Sequence, residues 1–376
     1  MSHLNASNLP HELVALIANE LLFIGGECLS LQINRNWMDG LTLSKAYTYS
    51  RVIKLEDEVD LGIISRILTQ CFNVSRKINF LQIQIKNAAL FKQIPFGRNV
   101  ICYLDLVLDH DEAECLSLPS DLLVETFLRI RCRPEDEESI VTNYFFDLSS
   151  ISIDTRENLE YVLMINIHPI MNTDGNFLML DEVEIKGDHE ALTAGINDFV
   201  SRAPRLKQLD LSCNVVPNKV TFPLRNSFSL PACLASLNQL YLKNIMIDLR
   251  DISLPELMSI DVTDANVLVD YNNPFISQLE YVSFRMEHLI LDPLIPLITD
   301  IESMARMNNA GMIILDYRDY HNSSKIRGFM RAFNDGYLDT ALPALKSLTL
   351  IRNPLFDSRA LERFCSRHLY TSIHII

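Results

Sequence analysis

No uninterrupted apolar run in this chain of 376 residues reaches the roughly 18 to 20 residues needed to cross a bilayer. The longest apolar cluster, LILDPLIPLI, is broken by Asp292 and two prolines, so no membrane partner is expected. A basic stripe is missing too. The formal charge is -15, which argues against a general nucleic-acid binder, because that task needs cations to release counterions from phosphates. Cysteine pairs are absent: Cys28, Cys71, Cys102, Cys115, Cys132, Cys213, Cys233 and Cys365 contain no C-x-x-C. Such spacing fits reduced thiols of an intracellular protein, cytoplasmic or nuclear. The first residues, MSHLNASNLPHE, have no basic start followed by an apolar core, so no secretory signal is expected.

Catalytic signatures are also missing. His11-Glu12 lacks the second histidine of a zincin helix, and there is no phosphate loop, no G-x-S-x-G elbow and no G-x-G-x-x-G. The acidic runs at 56–58, 109–114 and 135–138 have no glycine at the turn position of a calcium loop and read as solvated loops. No catalytic residue, metal site or cofactor is expected, and the chain is not expected to be an enzyme.

What is present is apolar residues, 48% against 22% charged, enough for a large core, and a motif that returns from residue 80 onward. An apolar residue, two variable ones, an apolar, a variable and an apolar recur most clearly as LKQLDL at 206, LNQLYL at 237, LMSIDV at 257, LEYVSF at 279 and LKSLTL at 345. Looser copies are FLQIQI at 80, ICYLDL at 101, LSSISI at 148, LDEVEI at 180 and MIILDY at 312. From 180 onward the spacings are 26, 31, 20, 22, 33 and 33 residues, scattered about the leucine-rich-repeat period of roughly 20 to 29. On a strand the last two apolar residues of the motif share one face. A single short strand cannot bury that face, whereas parallel stacking of successive strands builds a continuous core.

Several connections have helical spacing: 61–72 with Leu61, Ile64, Leu68 and Phe72 on one stripe, 188–202 behind Asp188, 297–308, and 357–369 behind Asp357. The stretches 213–235 and 264–278 carry Pro and Asn clusters and read as irregular. The asparagine that often follows the last leucine of a regular repeat is present only as Asn214 and Asn353. The final TSIHII is expected to cover the open end of the stack.

The first 45 residues do not fit this ladder. Pro10 suits a first helical turn and Glu12 the positive end of its dipole; Leu13, Leu16, Ile17 and Leu21 form one stripe, Gly25-Gly26 stops it, and Leu29, Ile33, Trp37 and Leu41 follow four apart. With Leu9, Pro10, Glu12, Leu13, Ile17 and Leu21, then CLSLQINRNW with Leu29, Leu31, Ile33, Arg35 and Trp37, this opening resembles an F-box. It departs from the family pattern in being one residue short between Leu31 and Trp37 and in its Gly-Gly link. F-boxes joined to leucine-rich repeats are a known architecture, and the resemblance implies the substrate receptor of an SCF ubiquitin ligase. Leu9, Pro10, Leu13, Ile17, Leu21, Leu29, Ile33 and Trp37 would then meet or support the Skp adaptor, and through it a cullin, while other subunits supply catalysis.

The expected architecture is therefore α/β: a helical F-box-like module at 1–45, then an irregular leucine-rich-repeat solenoid at 46–376 with parallel strands on the concave face and helices and loops on the convex one. Residues alternating with the core leucines are expected to face a target protein: Gln208, Asp210, Gln239, Tyr241, Lys243, Asp261, Tyr281, Arg285, Asp316 and Arg318, accompanied by Ser212, Ser259, Thr263, Ser283, Ile314, Ser347 and Thr349. Tyrosine and arginine are the types among these that most often carry binding energy. The alternative is an interaction scaffold outside any ligase, in which the N-terminal helices only cap the stack.

Overall fold

The structure is a computed structural model describing residues 52–74, 77–97, 99–109, 115–132, 144–171, 175–187, 195–213, 228–285, 298, 300–316, 330–351 and 357–376. Every residue assigned above to adaptor binding, from Leu9 to Trp37, lies outside that range, as do Asn214, Arg318 and Asn353. The fold is α/β and repeat-like, and it divides into two compact units between Leu180 and Asp181. Among the described residues no helix is long and apolar enough to cross a membrane.

The first unit contains β1 (Val52–Leu55), α1 (Glu58–Val74), β2 (Lys77–Ile85), α2 (Ala88–Phe91), β3 (Val100–Leu108), β4 (Cys115–Leu116), β5 (Leu123–Cys132), β6 (Phe145–Asp147), α3 (Ile153–Asn158), β7 (Tyr161–Ile165) and β8 (His168–Ile170). Strands β1, β2, β3, β5 and β7 pair in that order, every pair parallel. Helix α1 starts where Asp57 Oδ1 accepts from the backbone N–H groups of Val59 and Asp60 at 2.8 and 3.0 Å, satisfying two of the donors that a helix start leaves unpaired. It buries Ile64 and Leu68 of the expected stripe. Asn99 fixes the far end of this layer, its buried Nδ2 donating to the carbonyls of Leu68 and Phe96.

One of the looser repeat copies is not a strand. LSSISI at 148–153 forms a 3-10 turn at Leu148–Ser150 followed by the start of α3. Its polar side chains draw the backbone out of the extended form: Asp147 Oδ1 accepts from Ser149 N at 2.9 Å, Ser150 Oγ donates to the Asp147 carbonyl at 2.6 Å, and Ser152 Oγ caps α3 by accepting from Thr155 N at 3.2 Å. Short hydroxyl and carboxylate side chains compete in this way with strand pairing.

The second unit contains β9 (Glu182–Gly187), α4 (Ile196–Ser201), β10 (Gln208–Cys213), β11 (Phe228–Ser229), β12 (Gln239–Lys243), β13 (Met246–Asp248), β14 (Ser259–Thr263), β15 (Asn266–Leu268), α5 (Phe275–Gln278), β16 (Tyr281–Arg285), α6 (Ile301–Met304), β17 (Met312–Asp316), β18 (Ser347–Ile351), α7 (Ser358–Arg367) and β19 (Ser372–Ile375). Strands β9, β10, β12, β14, β16, β17, β18 and β19 pair in order, all parallel. The motif leucines do what their spacing dictates. Leu209 and Leu211, Leu240 and Leu242, Ile260 and Val262, Val282 and Phe284, Ile313 and Leu315, and Leu348 and Leu350 are all buried on one face. Stretch 264–278, expected to be irregular, adds the short strand β15 and helix α5. Asp357 caps α7 by accepting from Arg359 N at 3.1 Å.

Two backbone devices repeat. Before β10, β14 and β18 the chain turns through Ala203-Pro204-Arg205-Leu206, Leu254-Pro255-Glu256-Leu257 and Leu342-Pro343-Ala344-Leu345, each closed by a hydrogen bond from the fourth N–H to the first carbonyl at 3.1, 3.3 and 3.2 Å. Proline at the second position presets the φ such a turn needs. Each strand then begins at a shared carbonyl: Asp181 O accepts from Lys207 N and Gln208 N, Lys207 O from Asn238 N and Gln239 N, Asn238 O from Met258 N and Ser259 N, and Met258 O from Glu280 N and Tyr281 N. Glu280 O and Gly311 O continue the series with Gly311 and Met312, then Lys346 and Ser347, all at 2.8 to 3.1 Å. These main-chain bonds fix where each strand starts against its neighbour.

After the strands a further device turns the chain. Asn166, Asn244 and Asp264 have φ of 57, 53 and 50°, the left-handed region that asparagine and aspartate tolerate better than other side chains. They lead from β7, β12 and β14 into β8, β13 and β15, which build two further parallel three-stranded sheets, β4-β6-β8 and β11-β13-β15.

Candidate interaction surface

The strand register of the second unit lines up its polar residues in rows. The first row is Glu182, Gln208, Gln239, Ser259, Tyr281, Met312 and Ser347; the second is Glu184, Asp210, Tyr241, Asp261, Ser283, Ile314 and Thr349; the third is Lys186, Ser212, Lys243, Thr263, Arg285, Asp316 and Ile351. Every described residue expected from the sequence to face a partner falls in one of these rows. They are not equally available. Lys243 and Arg285 are exposed, Gln208, Asp210, Gln239, Tyr241, Asp261 and Tyr281 are half-buried, and Ser212, Ser283 and Asp316 are buried. Asp316, 0% exposed, is out of reach of an incoming side chain.

Apart from buried Asp316 in the third row, charge is sorted between the rows. Acids occupy the first two on β9, β10 and β14, and bases the third on β9, β12 and β16. Gln208 Nε2 donates to Glu182 Oε1 at 2.9 Å, Tyr241 Oη to Gln239 Oε1 at 3.1 Å, Ser212 Oγ to Asp210 Oδ1 at 3.4 Å, and Lys186 is ion-paired to Glu184. The acids remain poorly compensated. Burial, then the Glu184 charge, pushes Asp210 up to about 6, with Asp261 adding to the shift and Lys186 and Ser212 opposing it. Burial and Glu184 raise Glu182. Burial also raises Asp261, against Arg285 and Ser283. Burial and the surrounding acids raise Tyr241.

The polar face of the first unit is built differently, and the L-x-x-L-x-L pattern does not announce its chief feature. Phe80, Tyr103, Phe127 and Tyr161 stand in register on β2, β3, β5 and β7. Their rings follow one another at centroid distances of 4.7, 4.1 and 4.3 Å, the middle pair stacked with 7° between planes. A signal was available: FLQI, YLDL, FLRI and YVLM at 80, 103, 127 and 161 each place an aromatic immediately before a core residue. The stacked middle rings cover each other's faces, so this ladder contributes to stability as cross-strand aromatic pairs do and offers no broad platform.

Beside it, buried Asp105 accepts from Gln82 Nε2 at 3.0 Å and from Arg131 Nη2 at 3.2 Å, with Arg129 Nη1 at 4.0 Å. Asp105 is thus compensated by two arginines. Among the described residues no group of three or more His, Cys, Asp or Glu is arranged to hold a metal ion. Compared with models of known protein families and with curated protein sequences, the chain matches none.

Proposed function

We propose that this chain is the target-recognition subunit of an SCF-type ubiquitin ligase. The N-terminal segment docks on the Skp adaptor as an F-box, with Leu9, Pro10, Leu13, Ile17, Leu21, Leu29, Ile33 and Trp37 making or supporting the contact, and the adaptor links it to a cullin. The rest is a leucine-rich-repeat solenoid whose polar rows hold the target protein. The chain recruits and positions, in cytoplasm or nucleus, and chemistry belongs to other subunits. The observation that carries the recognition half is the face itself: parallel strands in register present half-buried polar and aromatic side chains on one side while every motif leucine is buried on the other. Such a surface is preorganised by the core beneath it, which lowers the ordering cost of binding. The ligase half rests on the F-box resemblance of residues 9–37.

Co-purification with the Skp adaptor tests it, comparing the natural chain with a Leu9→Asp, Pro10→Ala double variant. Stable association that the double change abolishes, with unchanged circular dichroism, is the expected result. A well-folded natural chain that fails to bind removes the ligase and leaves an interaction scaffold whose N-terminal helices cap the repeats.

A further inference from the structure

Tyr241 is placed unlike the aromatic residues of the first unit. It has no ring partner among the described residues, and its hydroxyl is held by Gln239 two residues earlier on the same strand and face, which leans the ring along the strand. Asp210 and Asp261 stand in register on the strands to either side. With neighbouring strands about 4.8 Å apart, these two positions are separated by about 10 Å, with the ring between them. A guanidinium or ammonium group resting on the ring, within about 6 Å of its centroid, is attracted by the ring quadrupole and lies between two carboxylates able to accept charge-assisted hydrogen bonds. Of the cations on this face, Lys186 is paired with Glu184 and Lys243 stands one row away between Ser212 and Thr263. Arg285 stands in that same row between Thr263 and Asp316, acting on Asp261 from there.

We propose that Asp210, Tyr241 and Asp261 form a seat for one arginine or lysine side chain of a protein partner, with Glu182 and Glu184 extending the negative charge onto strand β9. This rests on the polar rows being the target-binding face and adds the chemistry of what they take: a basic segment rather than an acidic or phosphorylated one. The ring makes the seat more than a patch of negative charge. It prefers a flat, weakly hydrated cation, so arginine binds better than lysine. An incoming cation relieves the acids, since Asp210 has the charges of Glu184 and Asp261 acting on it against that of Lys186.

The test uses the full chain and fluorescein-labelled Gly-Gly-Arg-Arg-Gly-Gly, with lysine and glutamate versions of the same peptide, followed by anisotropy at fixed salt. Saturable binding is expected for the arginine peptide, weaker binding for lysine and none for glutamate. Asp210→Asn with Asp261→Asn weakens the arginine complex roughly tenfold or more, and Tyr241→Leu roughly threefold or more, while Tyr241→Phe retains it. Asp251→Asn with Glu256→Gln removes the same charge from exposed turn residues and leaves binding unchanged. The proposal is overturned if this control weakens binding as much as the Asp210 and Asp261 changes, if Tyr241→Leu has no effect, or if no saturable binding is found up to millimolar peptide. Because the measurement contains no adaptor, its failure is distinct from failure of adaptor docking, and each can occur without the other.

Discussion

Asp210 shows how one side chain on a repeating sheet acquires properties that its own sequence position does not announce. In the unfolded chain it is an ordinary aspartate; in the fold, burial and the neighbouring Glu184 lift it to about 6. The folded state therefore holds the Asp210 proton more tightly than the unfolded state. The associated stability is complete below about pH 4 and is lost as pH rises toward about 6. Asp210→Asn removes this dependence. Thermal melts of the two proteins should coincide near pH 4 and separate by pH 7, with Asp210→Asn the more stable. Equal melting temperatures at both pH values would contradict the burial and charge environment described for this carboxyl. The sequence placed Asp210 on the polar face by alternation alone. It could not show the acidic neighbours, because Glu184 and Asp261 come from strands tens of residues away and meet Asp210 only once the register is set.

At the scale of the element, the strand and its closing turn are separable signals, and only the first was read. L-x-x-L-x-L is legible because alternation on a half-buried strand leaves a period of two. Strand β5 escaped because Glu125 stands where the motif ending on Leu128 and Ile130 calls for an apolar residue, although Val124, Leu128, Ile130 and Cys132 keep one buried phase along the strand. YVLMI at β7 belongs to LEYVLM at 159, which fits the motif as LEYVSF at 279 does and was legible in the sequence. LSSISI was read as a strand because its apolar positions fit, although its serines were cap and turn residues. The turn that follows a strand left its own mark in K-N-I-M-I-D and T-D-A-N-V-L at 243 and 263: a small polar residue two places after the last core residue, where the expected asparagine position was three. Asn244, with φ 53° and Nδ2 donating to the Cys213 carbonyl at 2.9 Å, is the case to test. Asn244→Ala should cost about 2 to 3 kcal/mol, combining left-handed strain of about 1 to 2 with a lost buried hydrogen bond of about 1. Asn244→Gly keeps the backbone freedom and should cost about 1. Denaturant unfolding reads both, and a glycine variant no better than the alanine one would mean the turn conformation is not the source of the cost.

On the scale of the whole molecule, the parallel α/β architecture was legible from repetition, since no isolated copy of the motif can bury its face. The division at residue 180 was not, because the motif runs through both units with only a change in the residues that dress it: aromatic before the core residue in the first, and in the second polar except for Tyr281 and Met312. The shared carbonyls at the start of each strand have a consequence for how such a chain can be edited. Asn238–Leu257 is one complete module, and Leu237 can take the place of Leu257 before Met258. Excising those 20 residues brings Met258 N and Ser259 N to the Lys207 carbonyl that Asn238 and Gln239 now occupy. It also sets Gln208 against Ser259, Leu209 against Ile260 and Asp210 against Asp261 without a change of register, and Phe228 against Val267 in the side sheet. The shortened protein should fold cooperatively with a smaller unfolding enthalpy by calorimetry, and a seam that fails to fold would show that side chains, rather than the main chain, set the join. Having lost Tyr241, that protein would also bring the two aspartates side by side and should no longer discriminate arginine from lysine, so the same cut that leaves the scaffold whole would erase its selectivity.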